Sequence, residues 1–133
     1  MQMSDIPADL RYTKTHEWVR SLPDGLVEVG ITDHAQHALG DLVFVEVPEA
    51  GRKLGAREPL AVVESVKAAS DVYAPIAGEV TAVNSGLASE PERINHEPYA
   101  AGWIARLRPS DASALASLLS AADYGKLLEA EGE

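Results

Sequence analysis

Lys67 stands in surroundings that could support specific chemistry. It lies between two apolar runs, residues 60–63 and 72–74, and its neighbours Val66 and Ala68 do not crowd its side chain. This pattern predicts two short strands joined by a turn, with the lysine at the exposed tip of the hairpin. An amine presented in this way is accessible to an enzyme that modifies it, but most lysines are simply exposed. The local sequence is therefore consistent with two interpretations of Lys67: a lysine that is modified and an ordinary surface lysine.

Histidine side chains offer a second chemistry, metal binding. His34 and His37 are three positions apart in a predicted helix, so both could project from one face, and neutral imidazole is a good zinc ligand. Two ligands do not complete a site, however, and His16 and His96 are distant in sequence. We therefore expect no metal site and interpret the pair as part of a polar helix surface.

The motifs of common catalytic sites are missing from the sequence. Ser65 and Ser70 stand in no nucleophile elbow. Residues 51–55 have neither the spacing nor the following helix of a phosphate-binding loop. The chain has no cysteine, which excludes disulfides, a thiolate nucleophile and thiolate metal sites. These observations oppose a free-standing enzyme.

Length and charge restrict the class of protein further. A chain of 133 residues is long enough for one domain with its own core. The 21 acidic residues against 11 basic ones give a formal charge of -10, which opposes binding to nucleic acid or to anionic membranes. Residues 1–10 resemble neither a signal peptide nor a transit peptide. We expect a cytoplasmic protein of a bacterium, and a mature organellar form would look similar.

The segments that must position Lys67 are mostly predicted to be strands. Residues 12–20 and 26–31 are rich in β-branched and aromatic residues and flank the turn signal Pro23-Asp24-Gly25. Further strands are predicted at 42–47, 78–83 and 103–107, with loops at 49–57 and 87–102.

Helices are predicted at two places. Thr32 or Asp33 can cap a helix through about Leu39, which Gly40 can end in the left-handed conformation. From Ser110 onwards the apolar residues follow a helical period. The predicted C-terminal elements are a helix capped by Ser110 or Asp111 with Leu115, Leu118 and Leu119 on one face, and a second helical piece with Tyr124, Leu127 and Leu128.

Six segments of the chain resemble the glycine cleavage system H protein family and occur in the order of that family. The segment around Lys67 is similar to the lipoyl-attachment segment, whose recognition hairpin would comprise Glu64, Ser65, Val66, Ala68, Ala69, Ser70 and Asp71. The other segments are YTKTHEW at 12–18, VGITDHAQHALGD at 29–41, FVEVP at 44–48, APIAGEVTAVN at 74–84 and PYAAGW at 98–103. The resemblance covers nearly the whole chain.

This resemblance implies a carrier and not an enzyme. Lipoate, attached to Lys67 as N6-lipoyllysine, would accept the aminomethyl group left when glycine is decarboxylated on the pyridoxal phosphate of glycine dehydrogenase. An aminomethyltransferase would move the one-carbon unit to tetrahydrofolate, and dihydrolipoyl dehydrogenase would reoxidise the dithiol. A lipoate ligase or a lipoyl or octanoyl transferase would install the arm. We expect a monomer, because one hairpin must be presented to several enzymes in turn.

The same resemblance implies a cleft that shelters the loaded arm from water. The implied cleft residues are Thr15, His16, Glu17, Trp18, His34 and Asp71. A carboxylate of Glu17 or Asp71 could hold the amine that the arm carries, or both could be ordinary surface acids. Arg93-Ile94-Asn95 departs from the family's usual Leu-Ile-Asn in the late loop, which affects the expected docking of that loop.

The fold implied by the resemblance is mainly β. It is the barrel-sandwich hybrid, the flattened barrel of lipoyl-carrying and biotinyl-carrying domains, with short helices that include a C-terminal helical segment. We divide the chain into a loose N-terminal segment, residues 1–10, and a single lipoyl-carrier domain, residues 11–133, with helices from about residue 110.

Three related classes of protein share part of the pattern. A biotin carrier uses the same hairpin but has methionine on both sides of its lysine, where Val66 and Ala68 stand here. A lipoyl domain of a 2-oxoacid dehydrogenase complex usually has aspartate directly before the lysine and lacks the HEW and DHAQHALGD segments. The alternative function that we keep is an H-like lipoyl relay in lipoate metabolism, with no part in glycine breakdown.

Overall fold

Residues 5–131 are described by the structure, a computed structural model, and form antiparallel strands with short helices. The strands are β1 (Arg11–Tyr12), β2 (Glu17–Ser21), β3 (Val27–Ile31), β4 (Leu42–Glu46), β5 (Lys53–Leu54), β6 (Pro59–Ser65), β7 (Ala69–Tyr73), β8 (Gly78–Val83) and β9 (Ala105–Pro109). The α-helices are α1 (Asp33–Leu39), α2 (Arg93–His96) and α3 (Ala121–Ala130), and 3₁₀ turns cover Pro23–Gly25, Ser85–Ala88 and Ala112–Ser117.

The strands form two sheets with the hydrophobic core between them. A six-stranded sheet has the order β1-β2-β3-β9-β8-β5, and a three-stranded sheet has the order β4-β6-β7. Val29 and Leu107 of the larger sheet belong to the same buried cluster as Leu60 and Val63 of β6. The two sheets are packed on each other but do not close into a barrel. This arrangement confirms the predicted flattened barrel-sandwich fold.

The first hairpin is confirmed, but its first strand is shorter than predicted. Residues 13–16 make a turn, in which the Thr13 N–H donates to Glu17 O at 3.0 Å and the His16 N–H donates to Thr13 O at 3.2 Å. His16 has a φ of +73°, a left-handed conformation that a strand cannot contain. The chain therefore reverses, and β1 pairs with β2 and does not continue into it.

Helix α1 is confirmed with the predicted ends. The Thr32 hydroxyl accepts from the Ala35 N–H at 3.2 Å, as expected of an N-cap. Gly40 has a φ of +87°, and its N–H donates to Gln36 O at 3.0 Å. The helix therefore stops directly before β4.

The prediction of a helix that includes Leu118 and Leu119 is wrong. Asp111 does cap a helical turn, but that turn is 3₁₀ and ends at Ser117. Leu118 is extended, with φ of -80° and ψ of 162°. Tyr12 and Leu119 exchange two backbone hydrogen bonds of 2.8 Å, so pairing with a distant strand overrides the local helical spacing of the leucines.

Two short elements lie inside segments that we predicted as loops. Strand β5 lies within residues 49–57 and pairs with β8, and α2 lies within residues 87–102. Both are too short to give a periodic signal.

Helix α3 is confirmed and packs on a second buried cluster. This cluster contains Tyr12, Trp18 and Tyr124, and the rings of Tyr12 and Tyr124 are stacked with centroids 4.7 Å apart. With ten residues, α3 is short, and no helix within residues 5–131 is long and apolar enough to cross a membrane.

Residues 5–10, which we expected to be loose, contain no helix or strand but make defined contacts. Leu10 is buried, and the Tyr12 hydroxyl donates to Pro7 O at 2.5 Å. The Asp5 N–H donates to the Asp33 carboxylate at 2.9 Å. The rest of the predicted loose segment, residues 1–4, lies outside the described part of the chain.

Candidate functional site

Lys67 occupies the tip of the hairpin formed by β6 and β7, as predicted. The two strands pair in register, with Glu64 opposite Ala69, so residues 65–68 form the connection. Lys67 is exposed, and its neighbour Val66 has 80% of its surface accessible. The amine is therefore presented beyond the body of the sheet.

The Ser65 side chain holds this turn in shape. Its Oγ accepts from the Ala68 N–H at 3.1 Å and from the Lys67 N–H at 3.3 Å. The Ser65 N–H also donates to Ala68 O at 2.7 Å. These bonds give the turn a defined backbone although its side chains face solvent.

The end of helix α1 lies beside the stem of Lys67. A Cβ built on Gly40 would lie 3.4 Å from Lys67 Cε, so a larger residue there would restrict the lysine. Asn95 fixes this junction, because its side-chain amide donates to Gly40 O at 2.9 Å while its Oδ1 accepts from the Leu42 N–H at 2.9 Å. Arg93, the residue that departs from the family pattern, lies apart from these bonds and pairs with Glu90 at 2.7 Å.

Strand β4 adds exposed apolar side chains next to the tip. Leu42 pairs with Ser65 and Phe44 pairs with Glu64. Among the described residues, the exposed large apolar side chains are Val43 at 56%, Phe44 at 47% and Val66 at 80%. All three lie near Lys67, which sequence analysis did not predict.

Glu17 is buried and is not an ordinary surface acid. Only 2% of it is exposed, and its carboxylate accepts from the hydroxyls of Thr13 and Thr15, both at 2.5 Å, and from the Tyr73 N–H at 3.2 Å. Burial raises the pKa of Glu17, and these hydrogen bonds oppose that rise. Asp71 is exposed on β7, two residues from Tyr73. The two acids named for the cleft thus have opposite environments.

Trp18 supports the sheet from a buried position. It is fully buried, and its indole Nε1–H donates to Pro98 O at 2.8 Å. Its ring covers Gly30, where an added Cβ would lie only 2.6 Å from the ring. Trp18 therefore offers no surface to a docked arm.

His16 and His34 are brought together, although they are distant in sequence. Their ring centroids are 4.6 Å apart. His16 Nδ1 lies 2.8 Å from the Tyr124 hydroxyl, which in turn lies 2.7 Å from the Thr32 hydroxyl. His16 Nε2 lies 3.4 Å from Glu131 Oε1. Sequence analysis missed Tyr124 and Glu131, because α3 approaches the turn before β2 only in the folded chain.

Comparison with known proteins gives one consistent result. Residues 10–131 match the family described as glycine cleavage H-protein. A glycine cleavage system H protein of Halorhodospira halophila is 61% identical over 130 residues, which span 98% of this chain and all of that protein. One of Escherichia coli O45:K1 is 57% identical over 129 residues, spanning 97% of this chain and all of that protein.

The fold agrees with a solved structure. A crystal structure of a glycine cleavage system H protein from Mycobacterium marinum superposes with a TM-score of 0.85 and 41% sequence identity, covering 93% of this chain and 99% of that chain. Sequence, fold and the placement of Lys67 thus agree, and the chain belongs to the glycine cleavage H-protein family.

Proposed function

We propose that this chain is the lipoyl-carrying shuttle protein of the glycine cleavage system, with lipoate attached to Lys67 as N6-lipoyllysine. The observation that supports the attachment is the position of Lys67 at the tip of the β6–β7 hairpin. The residues around it fit the group, because the amine is exposed, the turn is held by Ser65, and Gly40 leaves room beside the stem. When attached, lipoate supplies a dithiolane that accepts and releases the aminomethyl group.

The protein itself contributes the presentation of the lipoyl arm to its partners. A turn with a fixed backbone on two packed sheets gives each partner the same shape to bind, and tethering raises the local concentration of the arm at a docked active site. None of this requires a catalytic residue in the chain, which acts as a carrier and not as an enzyme.

The exposed apolar residues beside the tip define the surface that partners would bind. We call Val43, Phe44 and Val66, the exposed apolar side chains of β4 and of the hairpin tip, the apolar patch; the acids Asp41 and Asp71 are exposed as well. An apolar centre with a charged rim is typical of protein interfaces. We propose four partners for this patch: glycine dehydrogenase, the aminomethyltransferase, dihydrolipoyl dehydrogenase, and the lipoate ligase or lipoyl or octanoyl transferase.

We further propose that the loaded arm docks along β7 towards β2, near Thr15, Glu17 and Asp71. Asp71 supplies an exposed carboxylate for an amine, while Glu17 is already bonded to Thr13, Thr15 and Tyr73. Glu17 thus positions the docking surface and Asp71 would contact the arm.

The function is tested by reconstitution with the other proteins of the glycine cleavage system. Lipoylated wild-type protein should support glycine-dependent release of CO2, and Lys67→Arg should support none. Lys53→Arg, a change at another exposed lysine, serves as the matched control and should retain full activity. A wild-type protein that is lipoylated but supports no release of CO2 would overturn the proposal in favour of the relay function.

A further inference from the structure

Two histidines and one carboxylate from three distant parts of the chain meet on one side of the molecule. His16 lies in the turn before β2, His34 is in the first turn of α1, and Glu131 directly follows α3. One ligand-capable atom of each residue lies within 4.8 Å of those of the other two. This cluster consists of His16, His34 and Glu131.

We propose that this cluster binds a divalent transition-metal ion of the zinc class. Two imidazole nitrogens and one carboxylate oxygen are a donor set that suits Zn²⁺, and they leave a fourth position for water. Mg²⁺ prefers oxygen ligands and is not expected to bind.

The distances suit a tetrahedral site. With metal-to-ligand distances of about 2.0–2.1 Å, two ligand atoms on a tetrahedral zinc are about 3.3 Å apart. His16 Nε2 and Glu131 Oε1 already lie 3.4 Å apart. The longest separation in the cluster is bounded by 4.8 Å, so a small movement of side chains completes the site. The Glu131 side chain is 42% exposed and has the freedom to make that movement.

The orientation of His16 is fixed by groups behind it. Its second nitrogen, Nδ1, lies 2.8 Å from the Tyr124 hydroxyl, which lies 2.7 Å from the Thr32 hydroxyl. Metal-binding histidines usually have their other ring nitrogen held in this way, because the bond fixes the tautomer and aims the ligand nitrogen. The left-handed backbone of His16, at φ of +73°, places the ring against Tyr124 and beside His34. The site therefore has ordered groups that hold the ligand His16 in place, as well as a suitable set of metal-binding atoms.

A bound ion would add a link between three segments, two of which are already joined by the backbone hydrogen bond from the Thr32 N–H to His16 O at 3.0 Å. It would hold the end of α3 to the β1–β2 turn and to the start of α1, so binding would stabilise the folded state by an amount that grows with the logarithm of the free ion concentration once that exceeds the dissociation constant. This role is independent of the lipoyl carrier function, and either could fail without the other.

The experiment is a zinc titration by isothermal calorimetry of metal-free wild-type protein, His34→Ala, Glu131→Gln and the control His96→Ala. His96 is exposed and lies outside the cluster. Wild type and His96→Ala should bind about one zinc per chain. His34→Ala and Glu131→Gln should lower the affinity for zinc at least about tenfold, because even mutation of groups that only hold the ligands in place costs this much. Excess Mg²⁺ should not compete.

Thermal unfolding of the same proteins supplies a second measurement. At the same free zinc concentration, zinc should raise the melting temperature of wild type and of His96→Ala by more than that of Glu131→Gln. Glu131→Gln keeps the experiment decisive if His34→Ala does not fold, since Glu131 lies at the exposed end of α3. Absence of zinc binding to wild type, or equal binding by wild type and Glu131→Gln, would overturn the proposal.

Discussion

The backbone N–H of Tyr73 donates a hydrogen bond of 3.2 Å to the buried carboxylate of Glu17. This bond joins β7, the strand that follows the Lys67 turn, to β2 of the other sheet. It therefore ties the lysine hairpin to the body of the protein through a group whose charge depends on pH.

Glu17→Gln should change how stability depends on pH. The pKa of Glu17 is raised on folding from its ordinary value of 4.5, so the folded protein holds the proton more tightly than the unfolded chain. Its contribution to stability is therefore full below that ordinary value and is lost as the pH rises through the folded pKa. The free energy of unfolding of wild type minus that of Glu17→Gln should therefore fall as the pH rises above the ordinary value and through the raised folded pKa.

Chemical denaturation at a series of pH values measures this difference. Glu129→Gln, a change at an exposed residue of α3, is the control and should follow the wild-type curve. Parallel curves for wild type and Glu17→Gln would contradict the raised pKa.

Ser65→Ala should slow lipoylation while the fold persists. The change removes the acceptor of the Lys67 and Ala68 N–H groups, which are exposed and can bond to water instead. We expect a loss of about 1 kcal/mol or less in the free energy of unfolding. The ligase would meet a less ordered turn, and we expect kcat/KM for lipoylation to fall several-fold. Ser89→Ala, which changes an exposed hydroxyl outside the recognition hairpin, should leave the rate unchanged.

Phe44→Ala should weaken partner binding without destabilising the protein. Phe44 is 47% exposed, so its truncation leaves no cavity in the core, but it removes the largest side chain of the apolar patch. We expect the KM of glycine dehydrogenase for the lipoylated carrier to rise several-fold with an unchanged melting temperature. Arg108→Ala, an exposed change on the larger sheet, is the control. An equal KM for the two variants would show that partners bind elsewhere.

Gly30→Ala should destabilise the fold strongly. The new Cβ would lie 2.6 Å from the buried Trp18 ring, which is held by its bond to Pro98 and cannot move freely. We expect a cost of about 1–3 kcal/mol or more, measured by urea denaturation.

Gly125→Ala should stabilise the protein, in contrast to Gly30→Ala. Gly125 lies inside α3, and the nearest atom to an added Cβ is Ile6 Cδ1 at 3.8 Å, an ordinary contact. Removing glycine from a helix interior should stabilise the protein by about 0.5–1 kcal/mol. Equal effects of the two substitutions would contradict the packing described for Trp18.

The lysine hairpin could be predicted because its signals are local. Apolar runs on both sides of a polar turn are adjacent in sequence, and the cap at Thr32 and the stop at Gly40 depend on neighbouring residues. Leu118 and Leu119 could not be assigned in this way, because their extended shape comes from pairing with Tyr12, about a hundred residues earlier in the chain.

The site was only partly predictable for the same reason. Lys67 was found from its own segment, but the burial of Glu17 depends on β7, and the meeting of His16 with His34 and Glu131 depends on a left-handed turn and on helix α3. The domain division, the monomeric state and the cytoplasmic location stay predictions.

The most direct measurement of the central claim is a peptide map by mass spectrometry after incubation with a lipoate ligase, lipoate and ATP. Wild type should gain a single lipoyl group on the peptide that contains Lys67, and Lys67→Arg should gain none. No addition to wild type, or addition at Lys14, Lys53 or Lys126, would contradict the assignment of Lys67 as the point of attachment.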